Sequence, residues 1–302
     1  PQWEGLARYL QSRSFRPQLL QEAGLARPGK QQGSLYDYFR DRVIFPILSE
    51  KGDCIAFGGR LMEAGEPKYL NTPENAVFQK REVLYGFSFA KQEIRKADLV
   101  YIVEGYLDVI GMHQSSFTNT VAPLGTSFTR EHLEKLKKVT GNFVLVFDGD
   151  AAGRKAVFRV AGMLMDAGVR SRVVLLPEGT DAFDLTRTGD RNRAARKLQA
   201  AIPLSDFVLN HLYLEILQGR GGRISTVEDK LRYLGAVEDF LAGATDMTMA
   251  RLMIRQAAVL TGSDPEAALR DFSAKKERNQ IKIPTPAVPD AKFAPQAPPA
   301  KD

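Results

Sequence analysis

Cysteine, histidine and long apolar runs are scarce in this sequence of 302 residues. Cys54 is the single cysteine, which excludes an internal disulfide and a cysteine-rich zinc site within the chain. No apolar run approaches the length of a membrane helix, so we expect no membrane span. The first residues, PQWEGLARYL, do not resemble a signal peptide, and a reducing cytoplasm is the expected location.

An initiating methionine is also absent, and the last residues, 279–302, are rich in proline and alanine. We expect a fragment of a longer protein in which residues 279–302 form a disordered linker or tail.

The charge is unevenly distributed, although the net value is only +6. Residues 1–97 contain 15 Lys and Arg against 11 Asp and Glu, residues 98–190 contain 10 against 12, and the remainder contains 17 against 13. An acidic middle between basic flanks suits a metal site beside a polyanion. Ordinary surface charge would explain these differences equally well.

The first 97 residues have a mixed pattern. Apolar residues at helical spacing predict a helix over residues 2–25. Two β-rich runs, Val43–Leu48 and Cys54–Phe57, flank a turn and predict a hairpin. Residues 66–80 contain two prolines and predict an ordered loop. We expect a basic N-terminal α+β subdomain over residues 1–97.

Between residues 98 and 190, short apolar runs alternate with helical patterns. The predicted strands are Leu99–Val103, Thr120–Leu124, Asn142–Phe147 and Arg172–Leu176, and the predicted helices are Tyr106–Gln114, Thr129–Thr140 and Ala152–Ala167. This alternation predicts an α/β domain with a mostly parallel sheet flanked by helices.

After about residue 190 no strand pattern is evident. Helices are predicted at Leu204–Leu217, Val227–Gly243, Met247–Leu260 and Pro265–Lys275, which gives a C-terminal helical subdomain over residues 191–278.

Three carboxylates follow two of the predicted parallel strands. Glu104 comes after one strand, and Asp148 and Asp150 come after another. Ligands bind at the carboxyl ends of parallel strands, and oxygen ligands without His or Cys suit Mg²⁺ or Mn²⁺. Asp148 and Asp150 could instead cap the following helix. The metal interpretation predicts phosphoryl or nucleotidyl chemistry, with two or more ions.

Several sequence blocks that follow one another in a fixed order then indicate the class of protein. VEGYLDV and FDGDAAGRKA resemble the Toprim domain, which primases, topoisomerases and some nucleases share. Upstream, RDRVIFPI, FGGR, PKYLNTPE and LYGF resemble the blocks of the bacterial replicative primases, in the same order. The resemblance is strong over about residues 30–185, and it implies a Toprim-type sheet in residues 98–190.

The resemblance also implies roles for individual acids. Glu104, Asp148 and Asp150 match the catalytic metal-site acids of the family, and Asp181 matches the first acid of its Asp-Pro-Asp element. Here the sequence departs and reads EGTDAFDL, with Asp184 one position beyond the place of the second acid. Whether Asp184 substitutes as a metal ligand is left open.

On the basic side, the resemblance implies nucleotide or DNA binding by a second group of residues, which comprises Arg42, Arg60, Lys68, Asn71 and Lys80. From the residues alone, single Lys and Arg side chains are usually solvated surface. The three histidines, His113, His132 and His211, share no metal-ligand spacing and are expected to be structural or surface residues.

The family resemblance implies a monomeric primase core that makes short RNA primers on single-stranded DNA from ribonucleoside triphosphates. The zinc-binding and helicase-binding domains of the family are not evident, so replicative helicase and single-stranded DNA-binding protein are expected to act mostly through other regions. Two alternatives are a Toprim nuclease or topoisomerase and a non-catalytic binding module. The blocks over residues 40–87 favour the primase.

Overall fold

The N-terminal part of the chain contains a three-stranded antiparallel sheet. The computed structural model describes residues 3–187, 189–217 and 222–281, the last five of these by backbone alone. The elements before the sheet are α1 (Gly5–Ser12), α2 (Pro17–Glu22), β1 (Ala26–Pro28) and β2 (Leu35–Asp37). The sheet and the helix that follows it are β3 (Arg42–Leu48), β4 (Cys54–Leu61), β5 (Tyr69–Asn71) and α3 (Phe87–Ala97). The strand order is β3-β4-β5.

Two predictions for this part are wrong. The single helix over residues 2–25 is two helices, because Pro17 holds the preceding Arg16 in an extended conformation that no helix can include. The predicted loop over residues 66–80 contains β5, which pairs with β4. A strand of three residues shows no alternation of its own, so its partner determines it.

The middle of the chain is a mostly parallel sheet. Its elements are β6 (Val100–Ile102), α4 (Tyr106–Gln114), β7 (Thr120–Val121), α5 (Arg130–Lys137), β8 (Asn142–Phe147), α6 (Ala151–Asp166), β9 (Arg170–Leu175) and α7 (Ala182–Arg187). Strand β6 lies between β7 and β8, β8 lies between β6 and β9, and all three pairings are parallel. The predicted α/β fold is therefore confirmed.

Strand β8 explains why the sheet is covered on both faces. Phe143, Leu145 and Phe147 belong to one buried cluster, which continues into the C-terminal helices. Val144 and Val146, which alternate with them, belong to a second cluster with residues of α4 and α7. Every residue from Phe143 to Phe147 is buried, as expected for a central parallel strand.

The C-terminal part is helical apart from one short strand. Its elements are α8 (Arg191–Gln199), β10 (Ile202–Pro203), α9 (Leu204–Leu217), α10 (Val227–Phe240), α11 (Met247–Thr261) and α12 (Pro265–Ile281). Strand β10 pairs antiparallel with β9 at the sheet edge, which corrects the expectation that strands end before residue 190. Helix α12 includes residues 279–281 of the predicted tail, and residues 282–302 lie outside the described part.

No helix in the described ranges is long and apolar enough to cross a membrane.

Candidate active site

Acidic residues follow three adjacent strands of the parallel sheet. Glu104 comes two residues after β6, Asp148 directly follows β8, and Asp181 lies beyond β9. Because β6, β8 and β9 are parallel neighbours, their carboxyl ends share one edge. Glu104 Oε1 accepts a hydrogen bond of 3.1 Å from the Asp148 backbone N–H, which joins two of the strand ends directly. The strands that precede Glu104 and Asp148, β6 and β8, are direct neighbours in the sheet.

The Asp148-Gly-Asp150 turn is fixed by close packing. A Cβ atom on Gly149 would lie 1.9 Å from the carbonyl oxygen of Leu176, so only glycine fits there. The Arg154 guanidinium donates to the Gly149 carbonyl oxygen. Asp150 Oδ1 accepts from the Gly153 N–H at 2.7 Å and caps α6, so the capping alternative is realised for this residue.

Asp108 connects two acidic segments. Its Oδ2 accepts from the Gly105 N–H at 2.9 Å, and its Oδ1 accepts from the Phe183 N–H at 3.2 Å. The side chain is buried, on the first turn of α4. Asp108 therefore holds the turn after Glu104 against the segment that carries Asp181. The sequence signalled this residue only through its place in EGYLDV.

Asp148 is the carboxylate that its surroundings stabilise least. Glu104, Asp108, Asp150 and Asp181 each accept a backbone N–H, whereas no hydrogen bond to the Asp148 carboxylate is found among the described residues. Burial raises the pKa of Asp148 to about 7, and the negative charges of Glu104, Asp108, Asp181 and Asp150 add to the shift. Four neighbouring carboxylates are therefore close enough to act on the charge of Asp148.

The pKa values of Asp108 and Glu104 are also raised, in part by repulsion from neighbouring carboxylates. Burial, followed by the charge of Asp181, raises the pKa of Asp108 to about 6, against the two N–H donors. The pKa of Glu104 is raised by loss of hydration, which the Asp148 N–H opposes and the charges of Asp150 and Asp181 reinforce.

Asp181 and Asp184 differ in their relation to these acids. Asp181 contributes to the raised pKa of Asp148, Asp108 and Glu104. Asp184 is not among the charges that shift them, and its Oδ1 lies 3.4 Å from the Arg187 Nε in an ion pair. The geometry thus brings Asp181 into the acidic edge, here defined as Glu104, Asp108, Asp148, Asp150 and Asp181, and leaves Asp184 outside it.

The acidic edge is not a preformed metal cage. Within the described ranges, no three Asp, Glu, His or Cys side chains are grouped closely enough to hold an ion. Its donor set is nonetheless all oxygen and strongly anionic, which fits Mg²⁺ or Mn²⁺. Magnesium keeps several waters and is usually held by one or two carboxylates together with substrate phosphates.

Two of the five predicted nucleotide- or DNA-binding residues make hydrogen bonds within the protein. The Arg42 guanidinium donates to the carbonyl oxygens of Gly59, Pro67 and Lys68, and so braces the segment before β5. Asn71 bridges to the parallel-sheet domain. Its Oδ1 accepts from the Tyr106 hydroxyl at 2.5 Å, and its Nδ2 donates to the Leu124 carbonyl oxygen at 3.0 Å.

The remaining three are more available. Lys68 is exposed, with its Nζ 6.0 Å from the centroid of the Tyr69 ring. Arg60 is half-buried, and its Nε is buried without a hydrogen-bond partner in the described structure. Lys80 is half-buried, and its carbonyl oxygen lies 3.1 Å from His132 Nε2. Of the five predicted residues, Arg60, Lys68 and Lys80 are thus those whose side chains are not seen to bond protein backbone in the described structure, although Arg60 bonds the Tyr69 side chain.

Comparison with known proteins first defines the class of fold. Residues 101–186 match a family model described as Toprim-like, and residues 1–91 match one described as the N-terminal domain of the DNA primase catalytic core. The parallel sheet with its acidic edge is therefore a Toprim-type domain.

Relatives and solved structures then give the family. DNA primase of Pseudomonas putida is 36% identical over 270 residues, covering 88% of this chain and 40% of that protein. DNA primase of Pseudomonas aeruginosa is 41% identical over 219 residues, covering 71% and 33%. The crystal structure of a DNA primase domain from Pseudomonas aeruginosa superposes with a TM-score of 0.77 at 34% identity, covering 91% and 84%. A DnaG primase catalytic domain bound to single-stranded DNA superposes with a TM-score of 0.76 at 30% identity. The match covers 88% of this chain and 83% of that one.

The chain belongs to the bacterial DNA primase family, as the sequence blocks predicted. It spans about two fifths of the length of the first of these relatives and a third of the second. The shared part includes both the N-terminal domain and the Toprim-like domain of the catalytic core.

Proposed function

We propose that this chain is the catalytic core of a primase, which synthesises short RNA primers on single-stranded DNA from ribonucleoside triphosphates. The observation that carries the proposal is the convergence of Glu104, Asp148 and Asp181 at three adjacent strand ends, beside a basic domain of the primase type. A solved relative is bound to single-stranded DNA, which supports a DNA template for this chain as well.

Asp148 is the proposed centre of the metal site, because no hydrogen bond to its carboxylate is found in the part of the chain that the structure describes and the charges of four acids act on it. Glu104, Asp150, Asp181 and, if it reorients, Asp184 would complete a site for two or more Mg²⁺ or Mn²⁺ ions. When bound, such cations would neutralise phosphate oxygens and activate a 3′-hydroxyl. Glu104, the most exposed of the acids, is placed to accept a proton from that hydroxyl. Asp108 holds the two acidic segments in register.

The proposed nucleic-acid path passes Arg60 on β4, Lys68 just before β5 and Lys80 in the segment between β5 and α3. Guanidinium and ammonium groups would neutralise the phosphates of template or nucleotide. Arg42 and Asn71 would support this path indirectly, because their polar groups are engaged with protein backbone and with Tyr106.

Replacement of the central acid tests the proposal. Asp148→Asn keeps the size of the side chain and removes its charge, and we expect primer synthesis to fall at least about a thousandfold. Asp166→Asn, at the far end of α6, is the matched control and should retain activity. Primer synthesis by the unchanged chain on single-stranded DNA with Mg²⁺ or Mn²⁺ is the measurement.

Two outcomes would contradict the proposal. Cleavage of DNA without added nucleotides, and no dinucleotide formation at high protein concentration, would indicate a nuclease. Binding of DNA that a chelator does not affect, with no synthesis, would indicate a binding module. Replicative helicase and single-stranded DNA-binding protein are proposed partners, in a bacterial cytoplasm, and the core is proposed to act as a monomer.

A further inference from the structure

Helices α11 and α12 leave an open groove between them. Its volume is about 640 Å³. Helix α12 packs on α11, α11 packs on α9, and α9 packs on β9, so the groove lies two helical layers from the parallel sheet. It is therefore separate from the acidic edge and from the proposed nucleic-acid path.

The floor of the groove contains an exposed apolar side chain. Leu252 is 57% exposed, on the face of α11 that also carries Arg251 and Arg255. Leu269 lines the opposite wall on α12 and is half-buried. An exposed leucine that faces a second leucine across a groove can receive an apolar side chain of a partner.

The rim of the groove is basic and mostly unpaired. Arg255 forms an ion pair of 2.6 Å with Glu266, across the two helices. No ion pair or hydrogen bond of the Arg251 and Arg270 side chains is found among the described residues, although both line the groove. Two guanidinium groups with free donors therefore flank the leucines.

We propose that this groove binds an acidic peptide segment of a partner protein, one that carries at least one apolar side chain. Arginine forks pair with carboxylates through two parallel hydrogen bonds, and the leucines offer the apolar contact between them. Nucleic acid is the poorer match. None of the residues that line the groove is aromatic, so the groove lacks the aromatic platform on which bases usually stack, and its two leucines match an apolar side chain better than a phosphate.

Fluorescence anisotropy on the full chain tests the proposal. The probe is a short labelled peptide of alternating aspartate with leucine and phenylalanine. Its comparisons are the same peptide with lysine for aspartate, a peptide of aspartate and serine, and a short labelled oligothymidine. We expect the aspartate-leucine-phenylalanine peptide to bind at least about tenfold more tightly than either altered peptide.

Variants locate the binding site. Arg251→Glu together with Arg270→Glu should weaken binding of the acidic peptide at least about tenfold, and Leu252→Ser should weaken this binding about threefold. The matched control is Arg191→Glu together with Arg193→Glu, an equal charge change on exposed residues of α8, which should leave binding unchanged. Circular dichroism confirms that each variant folds, and primer synthesis should be unaffected by the groove variants.

Three results would overturn the proposal. The lysine peptide could bind as well as the aspartate peptide, or the α8 control could weaken binding as much as the groove variant. Alternatively, the acidic peptide could fail to bind while the groove variant weakens the binding of oligothymidine, which would assign the groove to nucleic acid. Each readout is independent of primer synthesis, so a failure of the proposed function would not imitate these results.

Discussion

The acidic edge and the basic antiparallel sheet face the same proposed reaction, but their side chains are held in opposite ways. At the acidic edge the carboxylates accept backbone N–H groups, from three residues away at Asp150 and Asp181 and from 44 and 75 residues away at Glu104 and Asp108. In the basic sheet, Arg42 and Asn71 donate to carbonyl oxygens between 17 and 53 residues away. The acids thus act as acceptors and keep their charge, whereas the bonds of Arg42 and Asn71 occupy part of their capacity to donate.

This difference separates binding residues from supporting residues. An acid that caps a turn can still present its second oxygen to a cation, because each carboxylate has several acceptor positions. The three bonds of Arg42 to protein carbonyls occupy three of its five N–H donors, which leaves two for a phosphate. We therefore expect the acidic edge to respond to changes through activity, and the basic sheet to respond partly through stability.

The largest expected effect is at the turn that carries Asp148. Gly149→Ala would place a methyl group against the Leu176 carbonyl oxygen, where the built Cβ lies at 1.9 Å. We expect a loss of about 3 kcal/mol in the free energy of unfolding, with primer synthesis reduced to background. Urea unfolding and a primer assay measure the two effects.

Gly141→Ala is the control for that change, because a Cβ there meets no atom within 4 Å. It should cost less than about 1 kcal/mol and preserve activity. Equal stability of the two variants would show that the turn can relax, and would contradict the packing argument.

The second effect separates Asp181 from Asp184. Asp181→Asn keeps the acceptor for the Asp184 N–H and removes a charge of the acidic edge, so we expect primer synthesis to fall about a hundredfold. Asp184→Asn breaks an exposed ion pair with Arg187 and should change activity less than about threefold. Manganese affinity, measured by electron paramagnetic resonance, should fall only in the first variant. The reverse ranking would make Asp184 the ligand.

The same contrast explains what could be predicted from the sequence. Buried strands carry their own pattern, so Asn142–Phe147 and the acids that follow were placed correctly. Strand β5 and the bonds of Arg42 and Asn71 depend on partners far along the chain, which no local pattern specifies. The resemblance to primases identified these residues as a group, but it could not separate Asn71, which contacts Tyr106, from Lys68, which is exposed.

A third effect concerns the junction of the two regions. His132 on α5 is buried. Its Nδ1 accepts from the Thr129 N–H, so its Nε2 donates to the carbonyl oxygens of Lys80 and Val83. Burial lowers its pKa from 6.5 to about 4; the carbonyls and Glu131 oppose this shift, while Lys135 adds to it. The unfolded chain therefore takes up a proton near pH 6.5, whereas the folded chain resists protonation until about pH 4.

Stability should consequently decrease as the pH falls through this window. Between about pH 7.5 and about pH 5, His132 should account for a loss of about 2 kcal/mol in the free energy of unfolding. Urea unfolding across this range measures it, and His132→Gln serves as the comparison because it cannot titrate. An identical pH dependence in the variant would show that other groups are responsible.

The smallest effect distinguishes support from binding within the basic sheet. The hydrogen bond between Tyr106 and Asn71 is 2.5 Å long, and it joins the antiparallel sheet to α4, which begins beside Glu104. A double-mutant cycle with Tyr106→Phe and Asn71→Ala should give a coupling of about 1 kcal/mol in the free energy of unfolding. Lys68→Ala should leave the free energy of unfolding unchanged. It should weaken the binding of single-stranded DNA about threefold and make that binding less dependent on salt. Asn71→Ala could instead weaken DNA binding as much as Lys68→Ala does, with no loss of stability. Asn71 would then be a binding residue, and the distinction between supporting and binding residues would not apply to it.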